Sequence, residues 1–185
     1  LRLNALKTIE AIQTFLVEEA TELIGGERVM LILEKDGKRE VMESILPLPS
    51  YQSGKGYELT EDPKDVLKRI GKYLDQARLT RTVQLILPSE NDSTSKRAKS
   101  SKKSKDSFSG LSELSSSRIV APLIAQNQLL GYLYTDMDSL YGAFDNTDRD
   151  MLGMLANQGA VALDNAQWAQ GLEQKVAERT EELQE

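Results

Sequence analysis

Residues 118–185 constrain the fold of this chain more than any other stretch. An apolar run, Ile119 to Ala125, meets a polar turn at Gln126-Asn127-Gln128, and a second run, Leu129 to Tyr134, returns from it. Gly142, Phe144 and an acidic cluster follow, and then about forty residues without proline. The two runs predict a β-hairpin. The proline-free remainder predicts one long helix that keeps its periodicity to the last residue. A helix that leaves a globule while still in pattern implies a chain cut from something longer, and the expected job is to pass a signal onward.

Composition removes several classes of function. The chain has 185 residues, no cysteine and no histidine. Thiol nucleophiles, disulfides, Cys/His zinc sites, histidine acid–base chemistry, a histidine phospho-acceptor and a thioether-linked tetrapyrrole are all excluded. No G-x-S-x-G, phosphate loop or dinucleotide fingerprint is present, so no catalytic or metal residues are assigned. A Ser-Lys or paired-carboxylate enzyme stays formally open. The net charge of −6 argues against nucleic acid as a partner. No run approaches the roughly 18 apolar residues of a membrane span, so no membrane insertion by this segment is expected. The chain begins with leucine and carries no leader, which reads as a trimmed start.

Ala5, Ile9, Ile12, Leu16, Ala20 and Leu23 recur at a spacing of three to four, the stripe of an amphipathic helix over 3–24, which Gly25-Gly26 ends. Val29 to Leu33, the turn Lys35-Asp36-Gly37-Lys38 and Arg39 to Leu46 form a second hairpin pattern. Residues 47–60, rich in Pro, Gly, Ser and Tyr, read as a loop. Asp62 then caps a helix that starts at Pro63 and carries Val66, Leu67, Ile70, Tyr73 and Leu74. Thr82 to Leu87 predict a strand. Serine and lysine dominate residues 89–117, a stretch expected to be a solvated, disordered insertion, with an anion-binding patch or phosphorylated serine cluster as the sharper alternative.

Val29 to Leu33, Val83 to Leu87 and Leu129 to Tyr134 are apolar on successive positions, so the sheet they form needs cover on both faces. The terminal helices supply one layer. The middle helix and long loops supply the other, where a small-molecule cavity can form.

This order of elements resembles the GAF domain family. Ala121-Pro122-Leu123 is similar to its apolar-Pro-Leu strand, and Gln128 to Leu133 to its x-x-x-G-x-L return strand. Phe144, Asp148 and Leu152 resemble its F-x-x-x-D-x-x-x-L pattern. Ala156, Gln158, Ala160, Ala162, Leu163, Asn165 and Ala166 match the body of its last helix. Residues 172–183 resemble the connector that precedes a histidine-kinase or cyclase output domain. The physical reading of the same residues gives Gly131 a close approach by another backbone or side chain, and gives Thr147 and Asp150 the spacing of a capping box.

The resemblance implies an α+β fold: a five- to six-stranded antiparallel sheet, with N- and C-terminal helices packed together on one face and a shorter helix and loops on the other. It divides the chain into a GAF-like domain at 1–166, carrying the insertion at about 89–117, and a coiled-coil linker at 167–185. It also implies a cytoplasmic, non-catalytic sensory domain of a multidomain bacterial signalling protein, within a two-component phosphorelay or a cyclase. The family's ligand pocket would draw here on Tyr51, Tyr57, Leu74, Val83, Leu85, Leu123, Tyr132, Tyr134 and Phe144. No cofactor is implied. The N-K-x-x-D-E type motif of cyclic-nucleotide-binding members is missing, and no signature selects a ligand.

Leu172, Val176, Arg179 and Leu183 follow a 4-3-4 spacing, and Ala162 and Ala169 extend that heptad seam upstream. The expected partners are a second copy, paired through the first and last helices, and a covalently attached output domain. A ligand would bias the rotation or register of the paired exit helices. The competing readings are a ligand-free dimerisation scaffold and a small-molecule enzyme of GAF-like fold.

Overall fold

The computed structural model describes residues 8–45, 62–88 and 116–183. The elements run α1 (Ile9–Ile24), β1 (Arg28–Lys35), β2 (Lys38–Ile45), α2 (Pro63–Thr80), β3 (Gln84–Ile86), β4 (Ser116–Ala125), β5 (Gln128–Asp138) and α3 (Asn146–Glu182). The expected Tyr51, Tyr57 and the body of the Ser/Lys-rich stretch lie outside the described residues.

Five strands make one antiparallel sheet in the order β2-β1-β5-β4-β3. Both hairpins close through two-residue turns whose central residues have positive φ: Asp36 (53°) and Gly37 (74°), then Gln126 (50°) and Asn127 (63°). That is the turn whose twist matches paired strands, and Asp-Gly and Asn are residues that tolerate it. Each hairpin carries a bulge. Leu31 pairs with Glu43 but Ile32 with Val41, and Leu123 pairs with Gly131 but Ile124 with Leu129.

Strand alternation divides the core in two. Val29 and Leu31 of β1, Ile119, Ala121 and Leu123 of β4, and Leu133 of β5 face α1 and α3. Ile12, Leu16 and Ala20 come down from α1, and Leu152, Leu155, Ala156, Ala160 and Leu163 from α3. On the other face Met30, Ile32, Val120, Tyr132 and Tyr134 meet Val66, Ile70, Leu74 and Ala77 of α2. The two terminal helices therefore share one face and α2 covers the other, as expected.

Local chemistry fixes the helix ends. Thr8 caps α1 through its hydroxyl, and Gly25 closes it in the left-handed region at φ 70°. Asp62 caps α2, with Pro63 in the first turn. The start of α3 corrects the expected capping pair. Asp145, not Thr147, accepts from the Asp148 N–H (2.9 Å), and the Asp148 carboxylate accepts in return from the Asp145 N–H (3.0 Å). An Asp at both positions also meets the positive end of the helix dipole. Strand β4 begins at Ser116, inside the stretch assigned from composition to the insertion. The buried Ser117 hydroxyl accepts from the Phe144 N–H (3.1 Å), which pins the approach to α3 onto the sheet.

Candidate functional site

The register of the three central strands sets out the α2 face row by row. Arg28, Asp136 and Arg118 lie opposite one another across β1, β5 and β4; Met30, Tyr134 and Val120 form the next row, and Ile32, Tyr132 and Pro122 the one after. Side chains two apart share a face, so Tyr132, Tyr134 and Asp136 all point toward α2. Apolar neighbours surround both rings, and each hydroxyl is left needing a partner inside the fold.

Each finds two. The Tyr134 hydroxyl donates to Asp136 Oδ2 (2.7 Å) and accepts from Arg118 Nη1 (2.7 Å). Asp136 also receives Arg28 Nη1 at 2.9 Å. The Arg118 guanidinium lies 5.1 Å from the centre of the Tyr73 ring, which α2 supplies. In the second cluster Tyr132 donates to Glu34 Oε2 (2.8 Å) and accepts from Arg39 Nη2 (3.3 Å). Arg39 continues to Glu34 Oε1 (3.2 Å), the Gly71 carbonyl (3.4 Å) and Asp75 Oδ1 (2.6 Å). Arg78 reaches Glu34 Oε1 at 3.5 Å.

The electrostatics follow from burial. Removal from water pushes the Tyr132 phenol up to about 12, and donation to Glu34 adds to this against the opposing pull of Arg39. Burial also drives Tyr134 well above the ordinary phenol value, with the Asp136 carboxylate reinforcing it. Burial alone would lower the Arg118 value, but Tyr134 and Asp136 outweigh it and hold the guanidinium charged. The same balance, through Asp75, Tyr132 and Glu34, keeps Arg39 charged. α2 is thus seated on the sheet by an apolar stripe and by directed polar contacts at Tyr73, Gly71, Asp75 and Arg78. A cleft of about 600 Å³ opens where the first turns of α2 pass β2, between Arg39, Val41, Met42, Pro63, Leu67 and Lys68.

The structure divides the residues expected to line one pocket. Leu74, Tyr132 and Tyr134 are together on the α2 face, fully buried. Leu123 and Phe144 are buried on the opposite face beneath the terminal helices, and Val83 and Leu85 pack against that same core. Leu123 is an odd-numbered β4 residue like Ile119 and Ala121, so alternation sends it away from Val120. A single pocket cannot draw on both sets. The polar residues Glu34, Arg39, Arg28, Arg118 and Asp136 were not singled out from sequence; their signal is the alternation Tyr132-x-Tyr134-x-Asp136, readable only once the cross-strand register is known.

The exit helix shows a similar division. Ala162 is half-buried and packs on the terminal-helix core. Ala169 is exposed, and Leu172, Val176 and Leu183 are 57%, 64% and 86% exposed. Met154, Val161 and Trp168, absent from the expected seam, are also exposed on α3. No described helix is long and apolar enough to cross a membrane.

Comparison with known proteins defines the class. A family model described as GAF domain matches residues 7–164. The chain belongs to the GAF domain family. Among solved structures of similar fold, the GAF domain/HD domain protein from Geobacter sulfurreducens superposes with a TM-score of 0.58 at 12% identity, covering 91% of this chain and 99% of that one. The blue-light absorbing form of the Thermosynechococcus elongatus PixJ GAF domain gives 0.53 at 18%, covering 92% and 91%. The GAF-B domain of DevS from Mycobacterium smegmatis gives 0.53 at 14%, covering 89% and 98%. Comparison with curated proteins gave no match.

Proposed function

We propose that this chain is the sensory or regulatory module of a larger signalling protein, a sensor histidine kinase or a nucleotide cyclase. A small ligand or partner acts on the α2 face, and α3 carries the response to an attached output domain as half of a homodimer. The observation that carries this reading is the continuity of α3. Its residues 152–163 rest on β4 and α1, and the same uninterrupted helix runs on to Glu182, with the side chains of residues 172–181 in solvent. One rigid element thus has a foot on the sheet and an arm beyond it.

Strand β5 links the two faces. Tyr132 and Tyr134 contact α2, and Leu133 between them contacts the terminal-helix core. An occupant of the cleft beside Pro63 and Leu67 that shifts α2 must rearrange the Arg39 and Arg118 contacts, and with them β5. A differential affinity of about 1–3 kcal/mol between two arrangements suffices for such coupling. Similar folds in a cyanobacteriochrome and a methyl-accepting chemotaxis protein support the sensory reading.

One observation favours a ligand-free scaffold instead: Val66, Ile70, Leu74 and Ala77 pack directly on the strands. Native mass spectrometry separates the two. The sensory reading predicts a dimer carrying a small-molecule adduct. A dimer without adduct, unchanged by metabolite mixtures, overturns sensing in favour of the scaffold, and a monomer at high concentration overturns both.

A further inference from the structure

Strand β2 is the outermost strand on its side of the sheet and pairs with β1. Among the described residues no strand takes its outer edge, so that row of backbone N–H and C=O groups is open to another chain. The cleft beside it is a trough. Six successive β2 residues, Arg39 to Ser44, form one wall, a run of about 20 Å at the rise of a strand. The first turns of α2 form the other wall.

Register sorts the side chains along this edge by face. Val41 pairs with Ile32 and Arg39 with Glu34, so both face α2. Glu40 pairs with Leu33 and Glu43 with Leu31, so both face the terminal helices, and Thr14 of α1 donates to Glu43 Oε1 (3.1 Å). Met42 is the extra residue of the bulge and lines the cleft, 39% exposed. Across from it, α2 sets Pro63 and Leu67 beside Lys64 and Lys68. Both lysines are exposed, one helical turn apart, and neither forms an ion pair among the described residues. Arg39 is held by Glu34 and Asp75. One side of the open edge is therefore basic and apolar, and the other is acidic.

We propose that this edge is a docking site for an extended segment of a partner protein, which adds to β2 as a further strand of the sheet. Main-chain hydrogen bonds to β2 hold it. Successive side chains of a strand point to opposite faces. The segment therefore carries acidic or apolar residues on the side toward α2, where Lys64, Lys68, Leu67 and Val41 receive them. On the other side it carries basic residues, which meet Glu40 and Glu43. A bulge and charged side chains keep a sheet edge from pairing indiscriminately. Here they admit a strand of complementary alternation, because like charges placed opposite one another are destabilising. The inference goes beyond the sensory reading and stands whether or not a small molecule also binds. It also gives the partner a hold on both layers, through α2 on one face and through Glu43 and Thr14 of α1 on the other.

The probe is a capped synthetic peptide as long as β2, eight residues, alternating lysine with aspartate or valine. Added to the 185-residue chain, it should slow hydrogen–deuterium exchange across Glu40–Ser44. Two versions, N-methylated on alternate residues, decide the mode of binding. The one methylated along the edge that meets β2 should lose binding, and the one methylated along the opposite edge should keep it. Lys64→Glu combined with Lys68→Glu should weaken binding about tenfold. Both side chains are exposed, so circular dichroism should show an unchanged fold. Equal binding of the two methylated peptides, or no binding of the parent peptide at millimolar concentration, overturns strand addition. A metabolite that slows exchange in α2 while the peptides fail also overturns it and leaves the sensory reading standing. Peptide binding of the expected kind by an adduct-free, metabolite-insensitive dimer supports the docking site and overturns small-molecule sensing alone.

Discussion

Gly131→Ala should be among the most damaging single-methyl additions to this domain. A Cβ at Gly131 would fall on the Ile32 carbonyl oxygen and within 2.8 Å of Leu33 Cα. Both are backbone atoms of β1, which faces Gly131 at Leu33 and Tyr132 at Ile32. No side chain can rotate away, so β1 and β5 must part. The adjoining Leu31, Ile32, Tyr132 and Leu133 are fully buried and resist it. Overpacking costs about 1–3 kcal/mol, and each weakened ladder hydrogen bond adds about 1 kcal/mol. The expected loss is about 3 kcal/mol or more, a large part of the ~5–15 kcal/mol that holds a domain together. Gly71 is the internal control. It sits inside α2, where an added methyl would meet no neighbouring atom within 4 Å, so Gly71→Ala should gain about 0.5–1 kcal/mol. Urea unfolding followed at 222 nm, at fixed protein concentration, measures both. Gly131→Ala within about 1 kcal/mol of the parent, or Gly71→Ala as damaging as Gly131→Ala, would refute this account of the β1–β5 approach.

Leu16→Ala removes a fully buried side chain that presses on Gly159, and should cost about 2–5 kcal/mol by the same assay. Asp145→Ala deletes one half of the capping box at the start of α3 and should cost about 1 kcal/mol. The Tyr132 phenol ionises near 12 in the fold and near its ordinary value of about 10 when unfolded. Its contribution is therefore complete below pH 10 and falls between pH 10 and 12, by at most about 1.4 kcal/mol per pH unit. Tyr132→Phe should flatten that part of the pH–stability profile, and an unchanged slope would contradict the assignment.

How much of this was legible in the sequence can be traced residue by residue. The hairpins were, because Asp36-Gly37 and Gln126-Asn127 sit between apolar runs and only a few residues accept their backbone. The two-layer cover followed from strands that are apolar on both faces. The pocket composition was not legible, because facing depends on the parity of each strand position. Pooling Leu123 and Phe144 with Tyr132 and Tyr134 ignored that parity. The Arg28–Asp136–Arg118 row was hidden by a bulge. Were Leu130 paired opposite Leu123 in an unbulged register, Arg118 would lie opposite Thr135, and no sequence signal marks the bulge. The heptad carried back from Leu183 arrives at Ala162, which is half-buried on the terminal-helix core, while Met154, Val161 and Trp168, which that heptad does not reach, are exposed on α3.

The central claim is that α3 is one element joining the sheet to a twin beyond it. Hydrogen–deuterium exchange along α3, measured across a range of protein concentrations, tests this most directly. Amides from Gly171 to Arg179 should be protected at high concentration and lose that protection on dilution or in a Leu172→Glu, Val176→Glu variant, while those from Leu152 to Leu163 stay protected throughout. Free-helix exchange beyond Trp168 at every concentration would contradict the claim.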